Sequence, residues 1–229
     1  DFSKQHPDWM AGHALRYDVP EVREYALKLV REALDIGAPG ISIDFCRYPD
    51  GVDKAETATL FLRSLRKLAD EFGAKGKRVP VLVRFPAKGV RKWECFDYRT
   101  WAREGLVDYL CPSNIQGRHL HFDIKPYVEA VKGTKCSLLP VVDGLAWGLA
   151  MPGPFLQRVK QLYDAGVDGI YIYQADSRVF DPEDNPFLAD FYADRPGAAL
   201  QAQLFYLLSR HRQQMSLRQA DLFSQITIS

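Results

Sequence analysis

Three observations predict an α/β fold of the (β/α)8 TIM-barrel type, present only in part. Helix, glycine, apolar strand and polar loop recur in that order along the 229 residues. Each apolar run is short and nearly continuous, as parallel strands buried on both faces are. Each run also stops on a polar or charged residue, which is where a β/α barrel carries its functional groups. Five strands count, at residues 41–45, 79–85, 107–111, 137–142 and 169–173, joined by helices that imply right-handed crossovers. A closed barrel needs eight. The first forty residues hold one helix and no strand, so the leading strands are expected to be missing from this chain, or supplied by an upstream segment or a second chain. A doubly wound sheet fits less well, because its function would gather at one switch point with a Gly-rich phosphate loop, and no GxGxxG or Walker sequence occurs.

Taken in order, residues 1–17 read as an irregular or capping segment. Asp18 stands at the expected N-cap, with Pro20 near the first helical position and Glu21 completing an approximate capping box. Val22, Tyr25, Ala26, Leu29, Val30, Ala33 and Leu34 keep helical spacing to Asp35, and Gly37, Pro39 and Gly40 end the helix. The strand Ile41 to Phe45 follows, with Ser42 and Asp44 on one face and Ile41, Ile43 and Phe45 on the other. Asp53 or Thr57 to Phe72 is the next helix and Val79 to Phe85 the next strand. Asp97 caps a helix to Glu104, and Val107 to Cys111 is a strand running into Pro112, Ser113 and Asn114. Ile124 to Val131 is helical and Ser137 to Val142 a strand stopping at Asp143. Pro154 to Ala165 is helical and Gly169 to Tyr173 a strand ending at Gln174. The handovers GAPGISID (37–44) and GVDGIYIY (166–173) share a form. After Asp176 the pattern loosens and Pro196-Gly197 marks a boundary, so residues 1–197 are read as the partial barrel domain and 198–229 as a C-terminal helix and tail.

Composition narrows the partners. The chain is 47% apolar and 26% charged, with 30 basic and 29 acidic side chains and a net charge of +1, which gives no reason to expect nucleic acid or a membrane surface. A carbohydrate partner fits better. No run reaches bilayer length and no signal-like start is visible, so a secreted or periplasmic location would need a leader outside this sequence. Cys46, Cys95, Cys111 and Cys136 form no CxxC pair, which disfavours zinc, and Cys46, Cys111 and Cys136, in or beside apolar runs, read as small buried hydrophobes. His119 and His121, with Asp123, are a weak metal signal. No metal or cofactor is expected. No GxSxG elbow occurs and no cysteine has a histidine neighbour in sequence, which leaves serine- or cysteine-type hydrolysis without support.

The strand ends supply the candidates: Asp44 with Arg47 and Tyr48, then Arg84, then Ser113 and Asn114, then Asp143, then Gln174 and Asp176. Paired carboxylates across one mouth are what hydrolysis of an O-glycosidic bond requires, one donating a proton and the other attacking or activating water. Asp44 is the first candidate for nucleophile or base, with Asp143 or Asp176 as the acid. Asp143-Gly144 also reads as a turn, and Asp176 as a cap. Arg84, between Val83 and Phe85, needs a buried partner or an anionic ligand. Arg47, Tyr48, Asn114 and Gln174 would contact substrate, and Trp93 or Trp147 could lay an indole against a sugar ring. The competing view makes Asp44 a structural ion pair with Arg47 or Arg84, in a non-catalytic carbohydrate-binding or scaffold barrel. A lyase or isomerase on a sugar acid, its carboxylate held by Arg84, is a third.

The run YDVPEVREYALKLVREALD followed by GISIDFCRYP resembles bacterial glycosyl hydrolase-like (family-10-like) β/α-barrel proteins, which place a PEVR helix before a strand of the form GI-x-x-D-x-x-R-Y-P. VLVRFPA and FDYRTWAREGLVDYLCPS are similar to their next units, so the likeness covers roughly residues 5–176. It implies a β/α barrel and carbohydrate-directed hydrolysis, with Asp44, Arg47, Tyr48 and Arg84 at the motif positions. The chain departs at Pro39, where an acidic residue is usual, and it matches only the later part of that barrel.

Overall fold

A computed structural model describes residues 2–46, 49–73, 78–114, 122–143 and 152–173. Contacts divide the chain into one unit of residues 1–142 and 157–172 and another of 143–156 and 173–229. The first unit opens with α1 (Phe2–Gln5), a 3-10 turn at Pro7–Trp9 and a small antiparallel hairpin, β1 (Met10–Ala11) with β2 (Ala14–Leu15). The irregular start expected from sequence is therefore partly structured. The hairpin is seated on the turn Pro49–Gly51: the Tyr17 N–H donates to the Gly51 carbonyl at 2.8 Å. A Cβ on Gly51 would lie 2.0 Å from the Leu15 carbonyl oxygen, so only glycine permits this approach of two backbones.

Helix α2 (Pro20–Asp35) begins at proline as expected, but its N-cap is Val19 and no side chain caps it. Asp18 instead pairs with Arg16 at 2.6 Å. There follow β3 (Ile41–Asp44), α3 (Ala55–Phe72), β4 (Val81–Pro86), α4 (Tyr98–Arg103), β5 (Tyr109–Ser113), α5 (Lys125–Val131), β6 (Ser137–Leu138) and β7 (Val141–Asp143), then α6 (Pro152–Asp164) and β8 (Tyr171–Tyr173). Strands β3, β4, β5 and β6 form a parallel sheet in chain order, and β7 pairs with β8. Asp97 caps α4 as its sequence predicts, accepting from the Thr100 N–H at 3.1 Å. Among the described residues no helix is long and apolar enough to cross a membrane.

The register sets two unlike faces. Ile43, Val83 and Leu110 share one row, and Phe85 with Pro112 the next. Val83, Phe85, Leu110 and Leu138 are buried on this face. Phe85 lies 5.6 Å from Trp101 on α4 and 6.1 Å from Tyr127 on α5, and Phe45 lies 5.5 Å from Phe96. Burying rings of this size contributes roughly 2–3 kcal/mol each. Trp101 is fully buried and its indole N–H is satisfied by the Thr59 hydroxyl at 2.9 Å. The opposite face carries Ser42, Asp44, Leu82, Arg84, Tyr109, Cys111 and Ser113. Along β3, Ser42 and Asp44 are exposed on this face and Ile41 and Ile43 only half-buried on the other, so β3 is not the buried strand its apolar run suggested.

Prolines mark where pairing ends. Strand β5 runs two residues beyond its predicted end, through Pro112. The Leu110 carbonyl accepts from Leu139 on the β6 side, so Pro112, of the same parity, turns its missing N–H beyond the last β6 rung at Leu138. Pro86 is placed likewise, past the end of β3: the Arg84 carbonyl accepts from Phe45 at 2.9 Å on that side. At Leu139-Pro140 the single predicted strand 137–142 divides into β6 and β7.

The other end of the sheet is stapled by a repeated aspartate. Asp108 gives its N–H to the Val81 carbonyl and takes the Val81 N–H on its carboxylate, both at 2.8 Å. Asp168 does the same to Leu138, at 3.2 and 2.7 Å. Around Asp108 the pair widens into a network, with Arg78 at 2.6 Å and the buried Arg66 at 3.2 Å.

Candidate functional site

Asp44 and Arg84 are fourth residues of adjacent parallel strands, ISID and VLVR, and the register Ile41 to Val81 brings them side by side. The guanidinium engages the carboxylate at two points: Nε to Oδ1 at 3.0 Å and Nη2 to Oδ2 at 2.7 Å. The Cys46 N–H adds a third bond to Oδ1 at 2.8 Å. Arg84 is 3% exposed and Asp44 51%, so a buried cation holds a carboxylate that opens outward. This two-point geometry fixes the plane of the carboxylate, which a lysine could not do.

The surroundings of the pair are largely sealed. Cys111 lies beside Arg84 on β5 and is fully buried, as is Ser113, and Cys46 is buried too. Burial pushes the Cys46 thiol up to about 12 against the opposing charge of Arg84 and a hydrogen bond with Ser113. Burial also raises Cys111 above the ordinary thiol range. Neither thiol is placed to act as a nucleophile, in keeping with all four cysteines being buried and free.

Two loops form the described rim. The turn after β3, Pro49–Gly51, is joined to the loop after β4 by the ion pair of Asp50 with Arg91, and by the Cys95 thiol donating to the Asp53 carbonyl at 3.3 Å. On its other flank the β4 loop is held by Ala87 N–H to the Ser113 carbonyl and Lys88 N–H to the Tyr127 hydroxyl, each 2.8 Å. Burial raises that hydroxyl to about 12, so it stays a neutral phenol that accepts the amide. Sequence reasoning passed over Asp50 and Lys88. Asp50-Gly51 after a proline reads as a turn, and the pairing of its carboxylate with Arg91, 41 residues on, leaves no local signal.

Of the residues predicted for the site, the structure brings Asp44 and Arg84 together, with Ser113 on the neighbouring strand and Asn114 half-buried at the end of β5. Asp143 closes β7. Its side chain, together with Arg47, Tyr48, Trp147, Gln174 and Asp176, lies outside the described residues, as do His119 and His121. Among the described residues no three His, Cys, Asp or Glu side chains gather as a metal site would require.

No protein-family model matches the chain, and a search of curated proteins finds no match. Solved structures do match. A type I 3-dehydroquinate dehydratase from Clostridium difficile is 17% identical, with a TM-score of 0.51 over 76% of this chain and 69% of that one. 2,3-Dimethylmalate lyase is 14% identical, with a TM-score of 0.46 over 86% and 79%. An inferred sporulation-specific glycosylase from Bacillus subtilis is 20% identical, with a TM-score of 0.39 over 56% and 45%. At such identities the likeness is one of fold alone, and it rests on the first. The chain is an α/β protein of the TIM-barrel type, a fold on which many unrelated activities are built. The fold therefore does not select a chemistry.

Proposed function

We propose that this chain is a glycoside hydrolase-like barrel domain acting on an oligo- or polysaccharide, with Asp44 as nucleophile or base. The observation that carries this reading is the placing of Asp44: a strand-end carboxylate, half open to solvent and fixed in plane by a buried arginine. An oxygen pair that already accepts three N–H bonds is suited to attack or to accept a proton, not to donate one. The proton donor that hydrolysis also needs is assigned to Asp143 or Asp176. Carbohydrate as the substrate class rests on the motif resemblance and on the near-neutral charge of the chain. The test is release of reducing ends from a glycan panel by wild-type protein, D44N, D143N and D176N, each checked for folding by circular dichroism. D44N is expected to lose at least a hundredfold in kcat. Cleavage by D44N at the wild-type rate would sink the assignment.

One observation favours a second reading. Both Asp44 oxygens are occupied by Arg84, as they would be in a structural pair anchoring the end of β3 in a barrel that binds glycan without cleaving it. Saturable glycan binding without product release by the wild-type chain would select that reading.

A further inference from the structure

The loop between β4 and α4 presents two side chains that the proposed chemistry does not use. Trp93 is 36% exposed, and the Lys88 ammonium lies over its ring at 5.9 Å from the centroid. Both are firmly mounted. Besides the bonds to Ser113, Tyr127 and Asp53, the Trp93 N–H donates to the Val90 carbonyl at 3.2 Å and the Cys95 N–H to the Lys92 carbonyl at 2.9 Å. Val90, Cys95 and Phe96 are buried beneath the turn. Lys92, immediately before Trp93, has φ at 64°, and among the described residues no other non-glycine takes a positive φ. The left-handed Lys92 turns the chain so that part of a large indole stays open at the surface while the rest is covered.

The chemistry of the pair is selective. An indole face stacks on the C–H face of a pyranose, and an ammonium beside it attracts an anion. The neighbouring Arg91 is already paired with Asp50, whereas among the described residues no carboxylate pairs with Lys88. The loop also shares the rim with Asp44, since the Asp50–Arg91 pair ties it to the turn after β3. We infer that Trp93 and Lys88 form a subsite for an acidic sugar, a uronic acid or other carboxylated pyranose, its ring on the indole and its carboxylate on the ammonium. This names the substrate class of the proposed glycan site and rests on that reading.

Calorimetric titration of the full chain with tetramers of galacturonate, mannuronate and glucuronate, each against its carboxyl-reduced form, tests the pair. At least one acidic tetramer is expected to bind tenfold or more tighter than its reduced counterpart. Lys88→Met should bring that ratio within twofold, and Trp93→Ala should weaken both forms at least tenfold. The inference is overturned if no acidic tetramer binds, if none is preferred, if the preference survives Lys88→Met, or if Trp93→Ala binds as wild type. The hydrolytic reading is judged separately. Acidic preference with D44N cleaving at the wild-type rate removes hydrolysis by Asp44 and leaves the subsite. Cleavage of neutral glycans without acidic preference does the reverse.

Discussion

Arg84 and Asp44 are joined by two parallel hydrogen bonds yet live in different media, the guanidinium inside the protein and the carboxylate half in water. Their removal is therefore unequal in cost. Asp44→Ala takes two charge-assisted bonds from a buried guanidinium, a loss of about 3 kcal/mol. Arg84→Met leaves a carboxylate that water can solvate and fills the space with an apolar chain, a change within about 1 kcal/mol. Urea unfolding of the two variants checks the order, and the reverse ranking would contradict this account of the pair.

Asp108 and Asp168 make the same backbone staple in different company. Asp168→Ala removes one carboxylate bond to Leu138, about 1 kcal/mol. Asp108→Ala also takes from Arg78 and the buried Arg66 one of the two carboxylates they share, leaving them Asp70, and is expected to cost about 2 kcal/mol. Denaturant midpoints at constant slope measure the difference. Equal losses would mean that the arginine network contributes nothing.

The buried thiols make stability fall in alkali. Burial raises Cys46 and Cys136 from 9.0 to about 12 in the folded chain. The folded state thus keeps protons that the unfolded state gives up. Their contribution is complete below pH 9 and is lost as pH climbs from 9 toward 12. The melting temperature should decline across that window, and C46A/C136A should decline less steeply. Below pH 8 the native thiols should react with a disulfide reagent at least a hundredfold more slowly than those of the unfolded chain.

Much of this architecture is legible because its parts are local. Apolar runs of five or six residues between glycine-terminated helices declare the βα units, but not the level of the pair: a second strand counted from Val79 sets Arg84 two residues further along than Asp44, and only the observed start at Val81 levels them. The Asp108 network is not local. Arg66, inside an amphipathic helix, reads as one more solvated cation, and its burial against a strand start 42 residues away leaves no periodic trace. A signal did exist in the matching LVD and GVD that precede β5 and β8, each aspartate just ahead of its strand. The shared form noticed at 37–44 and 166–173 pointed to the handover but not to its carboxylate. The end of β5 was misjudged for another reason. Proline was read as a stop, whereas Pro112 sits in the ladder because its ring faces a side with no rung to lose.

Pro86 and Pro112 also decide what cannot happen at the rim. Each puts a ring where a strand would offer an N–H, so the ladder on that side ends there, and beyond it the β4 loop is tied to β5 by the Ala87 N–H on the Ser113 carbonyl. The loops are therefore seated by individual bonds and not by a continued ladder. Their length and sequence can change without disturbing the register that seats Asp44 against Arg84.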